Sequence, residues 1–204
     1  MTGPAEPTDR AEPRICGKET IPLAHHKPER RRVESVVIVN TGDGKGKSTA
    51  AFGTVVRAVA RGWPVAVVQF LKSGKWQVGE ERVCREQLGV EWFSIGEGFT
   101  WESEDLSEDE AVARHAWETA ARIIAAGAHR LVVLDEITYP MTWGWIDTDA
   151  VVAAIADRPA GVNVICTGRD APAALVEIAD TVTEMVKRKH AYDTGVLAMK
   201  GIDY

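Results

Sequence analysis

The stretch Val36-Val37-Ile38-Val39-Asn40-Thr41-Gly42-Asp43-Gly44-Lys45-Gly46-Lys47-Ser48-Thr49 constrains this chain more than any other. The β-branched run at its start reads as a buried parallel strand. It breaks into a glycine-rich loop, after which Phe52, Val55, Val56 and Val59 recur at helical spacing until Gly62 and Pro64 end the pattern. Strand, glycine loop and helix in that order make a phosphate cradle. Glycines let backbone N–H groups turn inward, and the helix N-terminus favours an anion; Lys47 adds a positive charge, and the Ser48 hydroxyl is a hard ligand for Mg²⁺. The usual G-x-x-x-x-G-K-[ST] pattern opens here on Thr41 instead of glycine, with Gly42 offering a permissive backbone position beside it. The expected nucleotide-binding set is Thr41, Gly42, Asp43, Gly44, Lys45, Gly46, Lys47, Ser48 and Thr49.

Further strands are expected at Val65–Phe70, Glu91–Ile95, Leu131–Glu136, Val162–Thr167 and near Val182–Val186. Helical patterns lie between them. Ser107 with Glu110 reads as a capping box opening a helix whose inner face is Ala113, Ala116, Trp117, Ala120 and Ile124, and Val151 to Ala156 lie on another. Alternation of this kind predicts an α/β fold: a mostly parallel sheet with helices on both faces and the ligand site at the carboxyl ends of the strands. Residues 1–32 hold five of the nine prolines among interleaved charges and read as a flexible N-terminal tail, leaving 33–204 as the domain.

The strand Leu131–Glu136 ends in two carboxylates, where phosphate-loop proteins place the acid that supports a metal. Alternation sends Asp135 and Glu136 to opposite faces, so one of the two is expected to meet the metal directly. Arg169, just past the fifth strand, is placed to contact phosphate or a substrate carboxylate, with a surface salt bridge as the other reading. Gly98-Phe99-Thr100-Trp101-Glu102 sets aromatics in a glycine-flanked loop, which suits a platform for a flat ligand or else satellite core. Trp143 and Trp145 pose the same choice. The histidines show no metal-ligand spacing, and Lys187-Arg188-Lys189-His190 reads as a solvated strand end.

The formal charge of −6 argues against a nucleic-acid surface, which needs a basic patch. No run approaches the roughly 18 apolar residues that span a bilayer, so no membrane association and a cytoplasmic location are expected. Cys16, Cys84 and Cys166 form no C-x-x-C pair and read as reduced and structural.

Taken together, Thr41 to Gly53, Val67-Val68-Gln69-Phe70-Leu71-Lys72, Gly98 to Glu102, Val133 to Tyr139 and the terminal Gly201-Ile202-Asp203-Tyr204 resemble the ATP:corrinoid adenosyltransferases of the CobA/CobO type. The resemblance implies a RecA-like P-loop fold and transfer of the 5′-deoxyadenosyl group of ATP to the cobalt of a cob(I) corrinoid, with release of triphosphate. It implies ATP bound in reversed orientation, Lys47 and Glu136 as catalytic groups, and Ser48 and Glu136 beside Mg²⁺ or Mn²⁺. Phe99 and Trp101 are implied against the lower face of the corrin, and Arg169, by its place after the fifth strand, is the further candidate substrate contact. A homodimer is implied, and a flavoprotein is a candidate reductant. The competing readings are a RecA-type ATP hydrolase acting on nucleic acid, a small-molecule kinase, and a non-enzymatic carrier.

Overall fold

The structure, a computed structural model, describes residues 29–71, 79–94 and 106–203. Phe99 and Trp101, as well as Lys72 and Tyr204, fall outside that set. The β-branched run becomes β1 (Val37–Thr41), and the pattern after the loop becomes α1 (Lys47–Val59). There follow β2 (Val65–Gln69), α2 (Gly79–Glu86), β3 (Glu91–Ser94), α3 (Leu106–Ala126), β4 (Leu131–Asp135) and α4 (Thr138–Thr142). The chain then forms α5 (Thr148–Ala156), β5 (Asn163–Thr167), α6 (Ala173–Glu177), β6 (Thr181–Glu184) and a 3-10 turn over Ala191–Thr194.

The strands run in the order β3-β2-β4-β5-β1-β6, and every pairing is parallel. This is an α/β sheet in which β5 is inserted between β1, which leads into the glycine loop, and β4, which ends in a carboxylate. Alternation along the strands supplies two apolar faces, as a parallel sheet covered on both sides requires. On one face Ala51, Phe52, Val55 and Ala58 of α1 and Cys84 of α2 pack over Val67, Leu131, Val133 and Ile165. On the other, Ala113, Ala116, Ala120 and Ile124 of α3, with Val151, Ile155 and Leu175, cover Val39, Val132, Leu134 and Val164. Each large aliphatic side chain so buried contributes roughly 1.5–3 kcal/mol of transfer free energy.

Two expectations are corrected by this packing. Val56 is 53% exposed, because the inward stripe of α1 is 51, 52, 55 and 58 and Val56 sits beyond its edge. Ser107 lies one residue inside α3 and not ahead of it. The short helices α2, α4 and α6 escape periodicity reading because they bury one to three residues each, too few to make a stripe. Cys166 is fully buried and its thiol is pushed up to about 12 by that burial, which fits an inert structural cysteine.

Candidate functional site

Four strands carry a buried polar residue at or next to their carboxyl end: Asn40 on β1, Gln69 on β2, Asp135 on β4 and Thr167 on β5. Buried polar groups have to be hydrogen-bonded, and these are bonded mostly to one another or to the loops above. Asn40 Nδ2 donates to Lys47 O (3.2 Å), fixing the start of α1 to its strand. Asp135 is wholly buried and accepts from Gln69 Nε2 at 3.1 Å and Thr167 Oγ1 at 2.7 Å. The same Thr167 hydroxyl accepts the Glu136 N–H at 2.9 Å. One hydroxyl therefore ties both carboxylate-bearing residues to β5.

That arrangement separates the two acids. Asp135 is consumed inside the sheet, whereas Glu136 has left the strand, is half-buried, and adopts φ 65. Such a backbone costs a non-glycine residue of order 1–3 kcal/mol and persists only where its surroundings hold it. Thr167 is one of those holders, which makes a prediction. Thr167→Val should lower stability by about 1–3 kcal/mol, because it takes a donor from buried Asp135 and an acceptor from the Glu136 amide. Urea unfolding checks the first effect, and a fall in turnover larger than the loss of folded protein checks the displacement of Glu136. A wild-type unfolding midpoint would show that the Thr167 hydroxyl ties nothing together.

The loop itself is held from the side by the residues after β6. Met185 N donates to Thr41 O at 2.7 Å and Gly44 N to Met185 O at 2.6 Å. A Cβ on Gly42 or Gly44 would stand 2.7 Å from Met185 O, so the strap passes too close for any side chain there. Gly42 also needs φ 94, the left-handed backbone that glycine adopts freely. Thr41 needs no such freedom. It is the last residue of β1, pairs with Glu184 of β6, and its hydroxyl accepts the Ala171 N–H at 3.2 Å. The missing glycine of the motif is thus an ordinary strand residue, and the sharp turn begins one position later.

Gly46, at φ 116, caps α1 with no side-chain hydrogen bond, and the first turn carries no acidic residue. The helix N-terminus is left for an anion. Lys47 Nζ reaches back to Gly42 O (2.6 Å) and Gly44 O (2.8 Å), closing the loop over itself. Burial and the neighbouring Arg169 lower the Lys47 pKa, while Glu136 and Asp43 work against that shift. A second anion at this place would relieve the strain between the two cations. Arg169 is exposed, with Nε 3.8 Å from Asp43 Oδ1. Ser48 is half-buried at the head of α1 and Thr49 is exposed behind it.

Sequence reading passed over Tyr139. Burial first, and then the negative Glu136, raise its pKa, so the phenol stays a hydrogen-bond donor at neutral pH. Arg169, Asp170 and Asp43 act on it as well, which puts it in the same cluster as Lys47 and Glu136. Its ring leads to Trp143 at 5.6 Å between centroids, and Trp143 to Trp145 at 4.6 Å. Phe99 and Trp101 fall outside the described residues, and the structure says nothing of them.

Among the described residues there is no group of three or more His, Cys, Asp or Glu side chains that could hold a metal ion. Mg²⁺ does not need one. It takes one or two protein oxygens and fills the rest of its octahedron with phosphate and water, and the Ser48 hydroxyl and Glu136 carboxylate are oxygens of that hard kind. Among the described residues no helix is long and apolar enough to cross a membrane.

Residues 33–204 match the family described as "ATP:corrinoid adenosyltransferase BtuR/CobO/CobP". The chain is 45% identical over 169 residues to the corrinoid adenosyltransferase of Escherichia coli strain K12, covering 83% of this chain and 85% of that one. It is 45% identical over 175 residues to the corrinoid adenosyltransferase of Pseudomonas aeruginosa, covering 85% and 86%. It is 44% identical over 169 residues to the corrinoid adenosyltransferase CobA of Salmonella typhimurium strain LT2, covering 83% and 85%. With a glycine-rich loop at the head of α1, an emergent carboxylate and a family match over residues 33–204, the chain belongs to the ATP:corrinoid adenosyltransferase family, enzymes that adenosylate corrinoids at the expense of ATP.

Proposed function

We propose that residues 33–204 are the adenosyltransferase domain and that the transfer takes place above the carboxyl ends of β1, β4 and β5, with the triphosphate of ATP on the loop Thr41–Thr49. The supporting observation is the convergence of an uncapped helix start, the Lys47 ammonium and the Glu136 carboxylate on one loop. In this reading ATP lies reversed, with C5′ of the ribose and not the γ-phosphate presented to the nucleophile. The cobalt(I) lone pair attacks C5′, the C5′–O bond breaks, and its electron pair leaves with triphosphate as the Co–C bond forms.

Cobalt(I) is itself a strong nucleophile, so the protein has no proton to remove. Its tasks are to align C5′, to take up the charge of the leaving group and to keep water out. Lys47 and the loop amides carry out the second task. Mg²⁺, or Mn²⁺ in its place, would neutralise phosphate oxygens while held by Ser48 and Glu136. Arg169 lies on the substrate side, and Tyr139, held protonated, is available to donate to ATP or corrinoid. Phe99 and Trp101 are assigned to the lower face of the corrin, where apolar rings favour loss of the lower axial ligand from Co(II). A homodimer in the cytoplasm, supplied with electrons by a flavoprotein, completes the proposal.

The test is anaerobic incubation of the full chain with ATP, Mg²⁺ and chemically reduced corrinoid. The expected products are a Co–C bond, seen in the visible spectrum, and inorganic triphosphate in equal amount. ADP with orthophosphate, or a phosphorylated acceptor, would instead mean cleavage at the γ-phosphate.

A further inference from the structure

The terminal Gly-Ile-Asp-Tyr has no part in the transfer as derived above, yet one of its side chains touches the phosphate loop. Lys45 Nζ forms an ion pair with Asp203 Oδ1. The other carboxylate oxygen, Oδ2, accepts the Met199 N–H at 2.8 Å, and the N–H groups of Asp203 and Ile202 return to Met199 O at 2.8 and 3.1 Å. Asp203 therefore closes a small turn over 199–203 and fastens that turn to the loop. Little else holds the arm in place by burial, since Leu197 is 87% exposed and Ile202 73%. Between arm and loop lies a cavity of about 520 Å³ lined by Gly44, Lys45, Lys187, His190, Ile202 and Asp203 among others.

The two lysines of the loop thus have different partners. Lys47 folds back onto the loop's own carbonyls, whereas Lys45 is directed to the terminal turn. On its β6 side the loop is already bonded through Met185. The arm that leaves Met185 runs out and comes back, so the loop is gripped at both ends of one segment.

We propose that the turn Met199–Asp203 is a clasp on the phosphate loop, and that Asp203 is a positioning residue for triphosphate binding that acts through Lys45. The inference rests on the reading that this loop carries the triphosphate. A bare carboxylate at a phosphate site repels its ligand; paired with Lys45, Asp203 holds the loop amides in place without that repulsion. The opposite possibility has a different sign. If Asp203 merely withheld Lys45 from phosphate, removing its charge would tighten binding.

The experiment is titration of the full-length chain with ATP in excess Mg²⁺ at low salt, paired with KM for ATP and kcat in the adenosylation assay. Asp203→Asn should weaken ATP binding about 3- to 5-fold, the upper range for one partly exposed ion pair, raising KM with kcat little changed. Lys45→Met should weaken it further, because it leaves Asp203 uncompensated. Lys45→Met with Asp203→Asn should bind better than Lys45→Met alone, the non-additivity expected of a pair in contact. Asparagine is isosteric with aspartate, and circular dichroism verifies that the variant is folded. Lys47→Ala on the same titration separates the two claims. If Lys47→Ala loses ATP while Asp203→Asn binds as well as or better than wild type, the clasp is wrong and the loop assignment stands. If Lys47→Ala binds ATP like wild type, the loop assignment fails and the clasp with it.

Discussion

Lys47→Ala is expected to lower kcat by about 10²- to 10³-fold, the range for removing one preorganised donor from a developing oxyanion. The physical basis is the position of the ammonium. It lies between the carbonyls of Gly42 and Gly44, within the loop, and its pKa is already depressed by burial and by Arg169. A partly desolvated cation in that state gains more from an arriving polyanion than a solvated lysine would. Because the triphosphate gathers charge as the C5′–O bond breaks, the lost interaction grows toward the transition state and kcat should fall as well as affinity. Triphosphate release with reduced corrinoid measures the effect, and a denaturation curve on the same sample removes any contribution from misfolding. A folded variant with turnover within a few-fold of wild type would move the leaving group away from this loop.

How much of this was legible in the sequence differs from residue to residue. The strand and helix about the loop are plain because propensity, periodicity and glycine placement agree there, and the observed β1 and α1 follow. The choice between Asp135 and Glu136 was not legible. It depends on Gln69 and Thr167, two strands contributed from either side of β4, and on a positive φ at Glu136 that no propensity announces. A signal for the pattern did exist: Asn40, Asp135 and Thr167 each end an apolar run and Gln69 interrupts one, on the side of the sheet where parallel strands put a ligand. Read together, they mark the carboxyl edge of the sheet, beneath the proposed site. Tyr139 and Asp203 carry no signal of their own in the sequence, because Arg169 and Asp43 beside Tyr139, and Lys45 beside Asp203, are remote from them along the chain.

Gly168→Ala is expected to cost about 2–6 kcal/mol of stability, strain and overpacking each adding roughly 1–3. Gly168 follows β5 at φ 139, a region that side chains other than glycine's rarely enter. An added Cβ would stand 2.0 Å from Thr138 Oγ1 and 3.1 Å from Thr138 Cβ. Neither side can step back easily. Gly168 N is bonded to Asn40 O at 3.2 Å, which fixes it to β1, and Thr138 is fully buried with its hydroxyl donating to Arg169 O at 2.5 Å. Set beside the roughly 5–15 kcal/mol that holds a typical domain together, the loss is large enough to lower the urea midpoint clearly. It should also reach the chemistry, since Thr138 lies two residues from Glu136 and its partner is Arg169. Thr138→Ala in the Gly168→Ala background removes the nearest clash but not the backbone strain, so it should restore part of the stability and not all. A Gly168→Ala protein that unfolds within 0.5 kcal/mol of wild type, a margin typical of uninvolved surface positions, would show that the β5–α4 contact is slack and does not set the position of Glu136.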